Sequence, residues 1–570
     1  MHRRSFLQIS ALSGGFSLVN TPFSWASPSG VAERKPAWLL EWVKINDDIL
    51  PNYVPLRITD PKSQAFGGFK DADDIPNVHS TSSFVQRSLW AVATPESAYY
   101  QSKTQLYQVE LALKYLLKAQ HQDGTIDLLT TNFHSTPDTG FLVNYLSPTY
   151  RLVAATKTTE ASTVLNLLKT FLQRAGEALI VGGIHTPNHR WVVSAGLANL
   201  YQIWPDSRYR QRAEQWLAEH IDIDPDGQYN EKSSYIYSPL TNRVLLTVAK
   251  GFNKPELIDV VRRNLQMTMY YVHPNGEVVT EASGRQDKAV TGTMEGYYQC
   301  YRFMALHDNS GEMAAMCRLI EKMAGKKIAS YMDAFLEDPI LWKELPPSAA
   351  LPTHYARAFT HSGVVRIRRG EWDTTILAKN PTWLTFHKGN AVLQGMRIAA
   401  SFFGKGQFQS EKIEQIGNSW VLTSSLEGPY YQPFDAAQIA PDGDWEKMPR
   451  DKRPQSEVQK LTTTIKITET DQGVEIELSL TGTDGVPVAL ELMFRAGGTL
   501  AGVMPHPTRD KAFLLHTDEG SYTVGTDSIR FGRGRAEHKN VQLRGALPFT
   551  DTPTVFLTGF TPFQHTIKLS

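Results

Sequence analysis

The sequence predicts two domains of different texture: an N-terminal (α/α) toroid of helical hairpins over 34–345, then an antiparallel β-sandwich over 355–570. Three observations predict it. Apolar residues recur at helical spacing as far as about residue 330. Asp-Gly or Asn-Gly turns return between these helices. Beyond the Pro-rich stretch 344–354 the pattern becomes short alternating segments rich in β-branched residues.

The helical half is legible segment by segment. Leu106, Val109, Leu111, Leu113, Leu116 and Leu117 lie at helical spacing within 105–120, and similar stripes run through 158–179, 192–204, 209–221, 255–272 and 311–336. The turns are Asp123-Gly124, Asp226-Gly227 and Asn275-Gly276. Gly227 and Gly276 stand 49 residues apart, and Gly124 and Gly227 stand 103 apart, about twice as far. A helix-hairpin repeat of this length suits stacked helical pairs or a toroid. In the second half, 362–370, 372–380, 458–483, 487–496 and 540–549 read as strands, with Asp471-Gln472-Gly473 as one tight turn.

Composition excludes several function classes. Lys plus Arg equals Asp plus Glu, 58 each in 570 residues, so nothing draws the chain as a whole to nucleic acid or an anionic membrane. Cys300 and Cys317 make neither a disulfide framework nor a metal-ligand spacing, and read as buried thiols. No glycine-rich phosphate loop stands out, so no organic cofactor is implied. At the N-terminus Arg3-Arg4 precedes an apolar run to about Val19 and a small-x-small site at Ser24-Trp25-Ala26. Residues 1–26 therefore read as a twin-arginine-like signal peptide, and the mature protein as periplasmic or secreted.

Four polar and aromatic clusters fall between the helices. The first holds His134 and Asp138, as a substrate wall or a capped helix start. The second is Asn188-His189-Arg190-Trp191. Amide, imidazole, guanidinium and indole side by side suit an anionic sugar, and Asn188 is also a natural N-cap. The third runs from Asp226 to Tyr237 and includes Tyr229, Glu231, Tyr235 and Tyr237. The two last tyrosines are two apart, so only one is expected to face a cleft. The fourth is 281–287, with Arg285 and Gln286 able to hold a carboxylate or sugar hydroxyls, or Arg285 simply paired with Asp287.

Asn188-His189-Arg190, followed by the segment from Asp226 to Tyr237, resembles the heparinase II/III-like and alginate-lyase-like polysaccharide lyases. The 132–141 and 281–287 segments look closer to bacterial L-rhamnose-α-1,4-D-glucuronate lyases. The resemblance implies a toroid-plus-sandwich fold, an acidic polysaccharide as partner, and a catalytic set of Asn188, His189, Arg190 and Tyr237 or Tyr235, with Tyr237 favoured. His134, Asp138, Trp191, Tyr229, Glu231, Arg285, Gln286 and His387 would line the substrate. The family's sandwich offers a His-rich loop to the cleft; here only His387 stands in such a place, and no metal is implied.

The chemistry suits a uronate. Its C5 proton becomes removable once fixed donors neutralise the adjacent carboxylate. A base takes that proton and an acid protonates the leaving C4 oxygen. In glucuronate both lie on one face, so a single tyrosine can do both tasks. Two other readings stand beside this one. A toroid glycoside hydrolase would use paired carboxylates, Asp138 and Glu231. A non-catalytic glycan-binding protein would bind without turnover.

Overall fold

The computed structural model describes residues 34–570, so the expected signal peptide lies outside the described residues. Lys35–Ser570 forms one compact unit. Its first part is helical. The helices are α1 (Ala37–Ile49), α2 (Val78–Ala93), α3 (Lys103–Ala119), α4 (Thr136–Ala155), α5 (Ser162–Val181), α6 (His189–Ile203), α7 (Ser207–Leu217), α8 (Tyr237–Phe252), α9 (Glu256–Thr268), α10 (Tyr298–His307), α11 (Gly311–Ala324) and α12 (Asp333–Glu337).

Local signals account for most of these boundaries. Ser102, Asp206 and Ser310 accept backbone N–H bonds at the starts of α3, α7 and α11. Of the residues read in α3, Leu106, Val109, Leu113 and Leu116 belong to its buried face, while Leu111 and Leu117 at its margins are only half-buried. In α6 the run from His189 to Leu200 is buried on every side, because the helix is packed between α4 and α8. The stripe over 311–336 is not one helix. It breaks at Gly325, whose φ of +52° leaves the helical region, and continues as a 3-10 turn and the short α12.

The three Gly turns are one structural device. In each, the residue three before the glycine accepts the glycine N–H and donates its own N–H to the residue after the glycine: His121 with Thr125, Asp224 with Gln228, His273 with Glu277. All three glycines have φ between +83° and +96°. Each also lies against a later helix: Gly124 on α5, Gly227 on α9, Gly276 on Met323 of α11. The sequence spacing thus reports a genuine repeat of turn plus helix.

After an irregular segment at 343–353 the chain forms strands. One sheet has eight antiparallel strands, with Ile413–Ile416 and Thr499–Ala501 at its edges. The other has nine, antiparallel except where Ala512–Leu514 runs parallel to Thr554–Phe560. One apolar core is built from both, including Ile465, Ile476, Leu490, Phe494 and Leu557. Strand Gln455–Thr470 alternates as expected, with Leu461, Ile465 and Ile467 inward and Lys460, Lys466 and Thr468 outward or partly so.

Strand Trp372–Leu377 is buried at every residue. One face meets the shared core and the other meets the helical part, so alternation is lost. There Met267, Tyr271, Val279, Phe359, Val364 and Leu377 form a second small core joining the two parts. Ser362 receives support from Asp226 and Asp224 (2.9 and 3.0 Å), and Arg495 forks onto Glu277. No helix of the described residues is long and apolar enough to cross a membrane.

Candidate functional site

The site forms where α6, α8 and the 281–287 loop converge. Asn188 occupies the N-cap position of α6, but its side chain caps nothing. Its Oδ1 accepts from Thr186 (2.8 Å), and its Nδ2 is buried without a partner. The Asn188 backbone N–H instead donates to Glu231 Oε1 (3.2 Å). Glu231 Oε2 faces Arg285 Nε at 3.6 Å, beyond hydrogen-bond reach, and both atoms are buried and unpartnered. Arg285 also lies 5.2 Å from the ring of Tyr237, whose hydroxyl accepts from Gln286 Nε2 (2.5 Å).

His189 completes the set. Its ring meets Phe141 edge-on (6.1 Å between centroids) and His185 (4.7 Å), and its Nδ1 has no partner. Burial brings its pKa down to about 4, helped by His185 and Arg285 and opposed by Asp138. The imidazole is therefore neutral at pH 7. Burial raises the Glu231 carboxyl, against the Asn188 amide and Arg285. Four buried polar atoms without a hydrogen-bond partner lie on Asn188, His189, Glu231 and Arg285, the last two facing each other as an ion pair.

The loop that carries Arg285 is firmly anchored. Asp287 accepts from Ser233 (2.8 Å), from the backbone N–H of Tyr235 (3.0 Å) and from Ser283. That fixes the start of α8 and the loop to each other. Asp287 is thereby used internally, and Arg285 is left for the cleft rather than paired with it.

Several expected site residues serve other purposes. Arg190, expected to be catalytic, turns away into Asp222 (2.9 Å) and Glu219 (3.2 Å). Trp191 is fully buried, and its indole N–H donates to the same Asp222 (3.0 Å). Being next to His189 on a helix places them about 100° and 200° round the axis, off the cleft face. Tyr229 is buried and donates to Asn242 (2.8 Å). Tyr235 donates to Glu295 (3.3 Å), and burial followed by that carboxylate raises its pKa. Tyr237 is thus the tyrosine at the cleft. His134 pairs with Asp123 (2.7 Å) and stacks on His121.

Asp138 sits in the first turn of α4, which Ser135 caps. Burial opposes its charge, yet bonds from His79 (3.2 Å), Ser135 (2.5 Å) and Asn132 (2.8 Å) hold its carboxyl at about 2. Both its oxygens are occupied. His79 and Phe141 are cleft residues with no signal in the sequence, since each lies in an ordinary-looking helical segment.

His387 does not reach the cleft. It is buried and stacks face to face on His273, 3.6 Å between centroids at 4°. His273 Nε2 faces Glu281 (3.4 Å), and Asp373, itself held by Arg366 (2.7 Å), binds His273 Nδ1 (3.0 Å). Burial opposes a charge on His273, but Asp373 and Glu281 outweigh it and raise its pKa. Ligand atoms of His273, Glu281 and His387 lie within 4.8 Å of one another, and His387 Nδ1 is an unpartnered buried atom. Two imidazoles and a carboxylate, with a second carboxylate orienting one imidazole, fit a divalent first-row cation such as zinc. The sequence implied no metal; the fold assembles a place for one. The signal was faint: His273 opens the third Gly turn where His121 opens the first.

Comparisons with known proteins bear on this fold. No family model and no curated protein sequence matches the chain. Among solved structures it is similar to heparinase III, with a TM-score of 0.53 at 10% identity over 93% of this chain and 89% of that one. It is similar to Streptomyces coelicolor A3 chondroitin AC lyase in complex with chondroitin sulphate, with a TM-score of 0.54 at 12% identity over 95% and 80%. Paenibacillus xanthan lyase gives 0.55 at 10% identity over 93% of this chain, which spans 55% of that enzyme's length. A helical N-terminal region followed by C-terminal β-sheets is thus a fold shared with polysaccharide lyases.

Proposed function

We propose that this protein is a polysaccharide lyase that cleaves a 4-linked glucuronate by β-elimination. The observation that carries the reading is the set of Asn188, His189, Glu231 and Arg285, each with a buried polar atom that lacks a hydrogen-bond partner, with Arg285 over the Tyr237 ring. The reading takes 34–345 as an (α/α) toroid bearing the catalytic groups and 355–570 as a β-sandwich that holds the 281–287 loop. The shared fold with lyases of acidic glycans supports it.

In this mechanism Asn188 Nδ2 and Arg285 receive the uronate carboxylate, which lowers the barrier to forming negative charge at C5. His189, neutral, adds no positive charge to compete with them and offers Nδ1 to the sugar. Tyr237, beside the Arg285 cation and held by Gln286, takes the C5 proton as phenolate. The C5–H electron pair becomes the C4=C5 double bond and the C4–O bond breaks. Tyr237 then returns the proton to the leaving oxygen. The products are a 4,5-unsaturated uronate end and a free hydroxyl. His273, Glu281 and His387 would hold a divalent cation that braces the sheet against the 281–287 loop, outside the proton path.

The narrower form of the proposal is release of terminal L-rhamnose from arabinogalactan-type glycans, supported by the sequence resemblance at 132–141 and 281–287. The arginine pair and apolar run at the N-terminus support a periplasmic or secreted location. The hydrolase reading would pair Asp138, kept ionised by three hydrogen bonds, with Glu231, whose carboxyl burial raises, and the experiment below separates it from elimination.

Ultraviolet absorbance of the mature protein with glucuronate-containing glycans tests the reading. A rise from the conjugated double bond, lost in His189→Ala, supports it. New reducing ends without absorbance would replace it with hydrolysis.

A further inference from the structure

The loop after strand Ala391–Ala400 puts two neighbouring phenylalanines to opposite uses. Phe402 is buried in the core that the two sheets share, whereas Phe403 is 44% exposed and sits in the left-handed region at φ +49°. A bulky residue rarely adopts that conformation. The Phe403 ring lies on Gly428 of strand Ser419–Tyr431, where an added Cβ would stand 2.3–2.6 Å from three of its atoms. It meets Phe402 and Tyr430 edge-on (5.0 and 5.5 Å between centroids), and Tyr430 is itself 58% exposed. Two aromatic rings are thus braced in place and left facing solvent, at a strained turn. Exposed apolar surface held in this way marks a contact site.

Cations flank the rings. Gly404 packs backbone to backbone on Gly545, where an added Cβ would lie 2.4 Å from the Gly404 carbonyl carbon. That contact sets the exposed Arg544 beside the Phe403 turn, its Nε 4.0 Å from where a Gly404 Cβ would be. Lys405, also exposed, follows two residues after Phe403. Among the described residues neither Arg544 nor Lys405 is in an ion pair. Glu427, the one acid of strand Ser419–Tyr431, is taken by Lys460 (3.1 Å). The patch is therefore apolar and positive together. An anionic sugar fits that combination, with its C–H face on the rings and its carboxylate on the cations. A folded protein partner would need about 800 Å² per side, far more than two rings and two cations offer.

We propose that Phe403, Tyr430, Lys405 and Arg544 form a second, non-catalytic site that holds an acidic polysaccharide chain by its uronate units. The site lies wholly in the β part, shares no residue with the catalytic set, and does not rest on the elimination proposed above.

Native gels cast with polyglucuronate, or with dextran as the neutral polymer, read affinity as retardation of the mature protein. Every protein loaded carries Tyr237→Phe, so that the polymer stays intact. Polyglucuronate should retard the parent protein and dextran should not. Phe403→Ala should weaken the affinity about fivefold and Arg544→Gln about threefold. Tyr107→Ala, which removes an exposed aromatic from α3, should change nothing. With Tyr237 restored, Phe403→Ala should leave kcat on a short uronate oligosaccharide unchanged. Equal retardation of the parent, Phe403→Ala and Arg544→Gln overturns the proposal, as does equal retardation by dextran. A dimer in sedimentation that Phe403→Ala dissociates would assign the patch to a second copy of the chain instead. Phe403-dependent retardation with no double-bond absorbance on any uronate glycan would sink the lyase reading and leave this site standing.

Discussion

Tyr237 carries the proton transfers proposed here and His189 faces the sugar beside it, and each gives a residue-scale prediction. Tyr237→Phe keeps the ring under Arg285 but removes the oxygen that Gln286 holds. Elimination measured by ultraviolet absorbance should fall about 10²- to 10⁴-fold, with substrate binding by calorimetry retained. Loss of binding in parallel would make Tyr237 a positioning group instead. His189 is neutral in the fold because burial holds its pKa at about 4, whereas an unfolded histidine titrates near 6.5. As pH falls, the unfolded chain takes up this proton first. Stability is therefore full above pH 6.5 and is lost between 6.5 and 4, about 2 kcal/mol of it by pH 5. Urea denaturation of wild type and His189→Gln at pH 7 and pH 5 checks this: the wild type should lose more. Arg190, adjacent in sequence, does none of this, because one step along a helix points it at Asp222 instead.

At the scale of elements, the three Gly turns decide how successive helices stack. A Cβ on Gly124 would lie 2.1 Å from the Arg174 carbonyl oxygen, and one on Gly227 would lie 2.8 Å from that of Arg263, each at a φ that L-residues avoid. Gly124→Ala should destabilise by well over about 1 kcal/mol, since strain and backbone collision add. Gly183→Ala is the control, with nothing within 4 Å of its added Cβ. Equal denaturation midpoints for the two variants would show that the turns do not hold the repeat. These turns were legible because a left-handed residue between polar neighbours leaves a local signature. The break at Gly325 was missed because the apolar stripe continues on both sides of it.

The whole molecule depends on what joins its helical and β parts. Glu281 accepts from Thr375 and Thr385 (2.6 and 2.8 Å), so the sheet grips the loop that carries Arg285. The His273, Glu281 and His387 cluster lies in this same junction. Zinc or another divalent cation should therefore raise the Tm of chelator-treated protein, and His387→Ala should abolish the rise. No shift in the wild type would mean that the cluster holds only its proton. Because one small core spans both parts, far-ultraviolet and tryptophan signals should report a single coincident transition.

Local patterning determined the order of helices and strands, the turn repeat, and which loops carry polar and aromatic residues. Helix periodicity, glycine turns and strand alternation are short-range properties, so a linear reading recovers them. It also brought Asn188, His189, Tyr237, Glu231, Arg285 and Gln286 forward as candidates. Only the tertiary structure chose among neighbours: Tyr237 over Tyr235, Arg285 over Arg190 as the cation at the cleft, and His387 buried against His273 rather than exposed. The reason is that a side chain's direction and its long-range partner decide its role. Asp222 claims Arg190 and Glu295 claims Tyr235, while His273 and Asp373, exactly a hundred positions apart in the chain, meet only when the sheet docks on the helices.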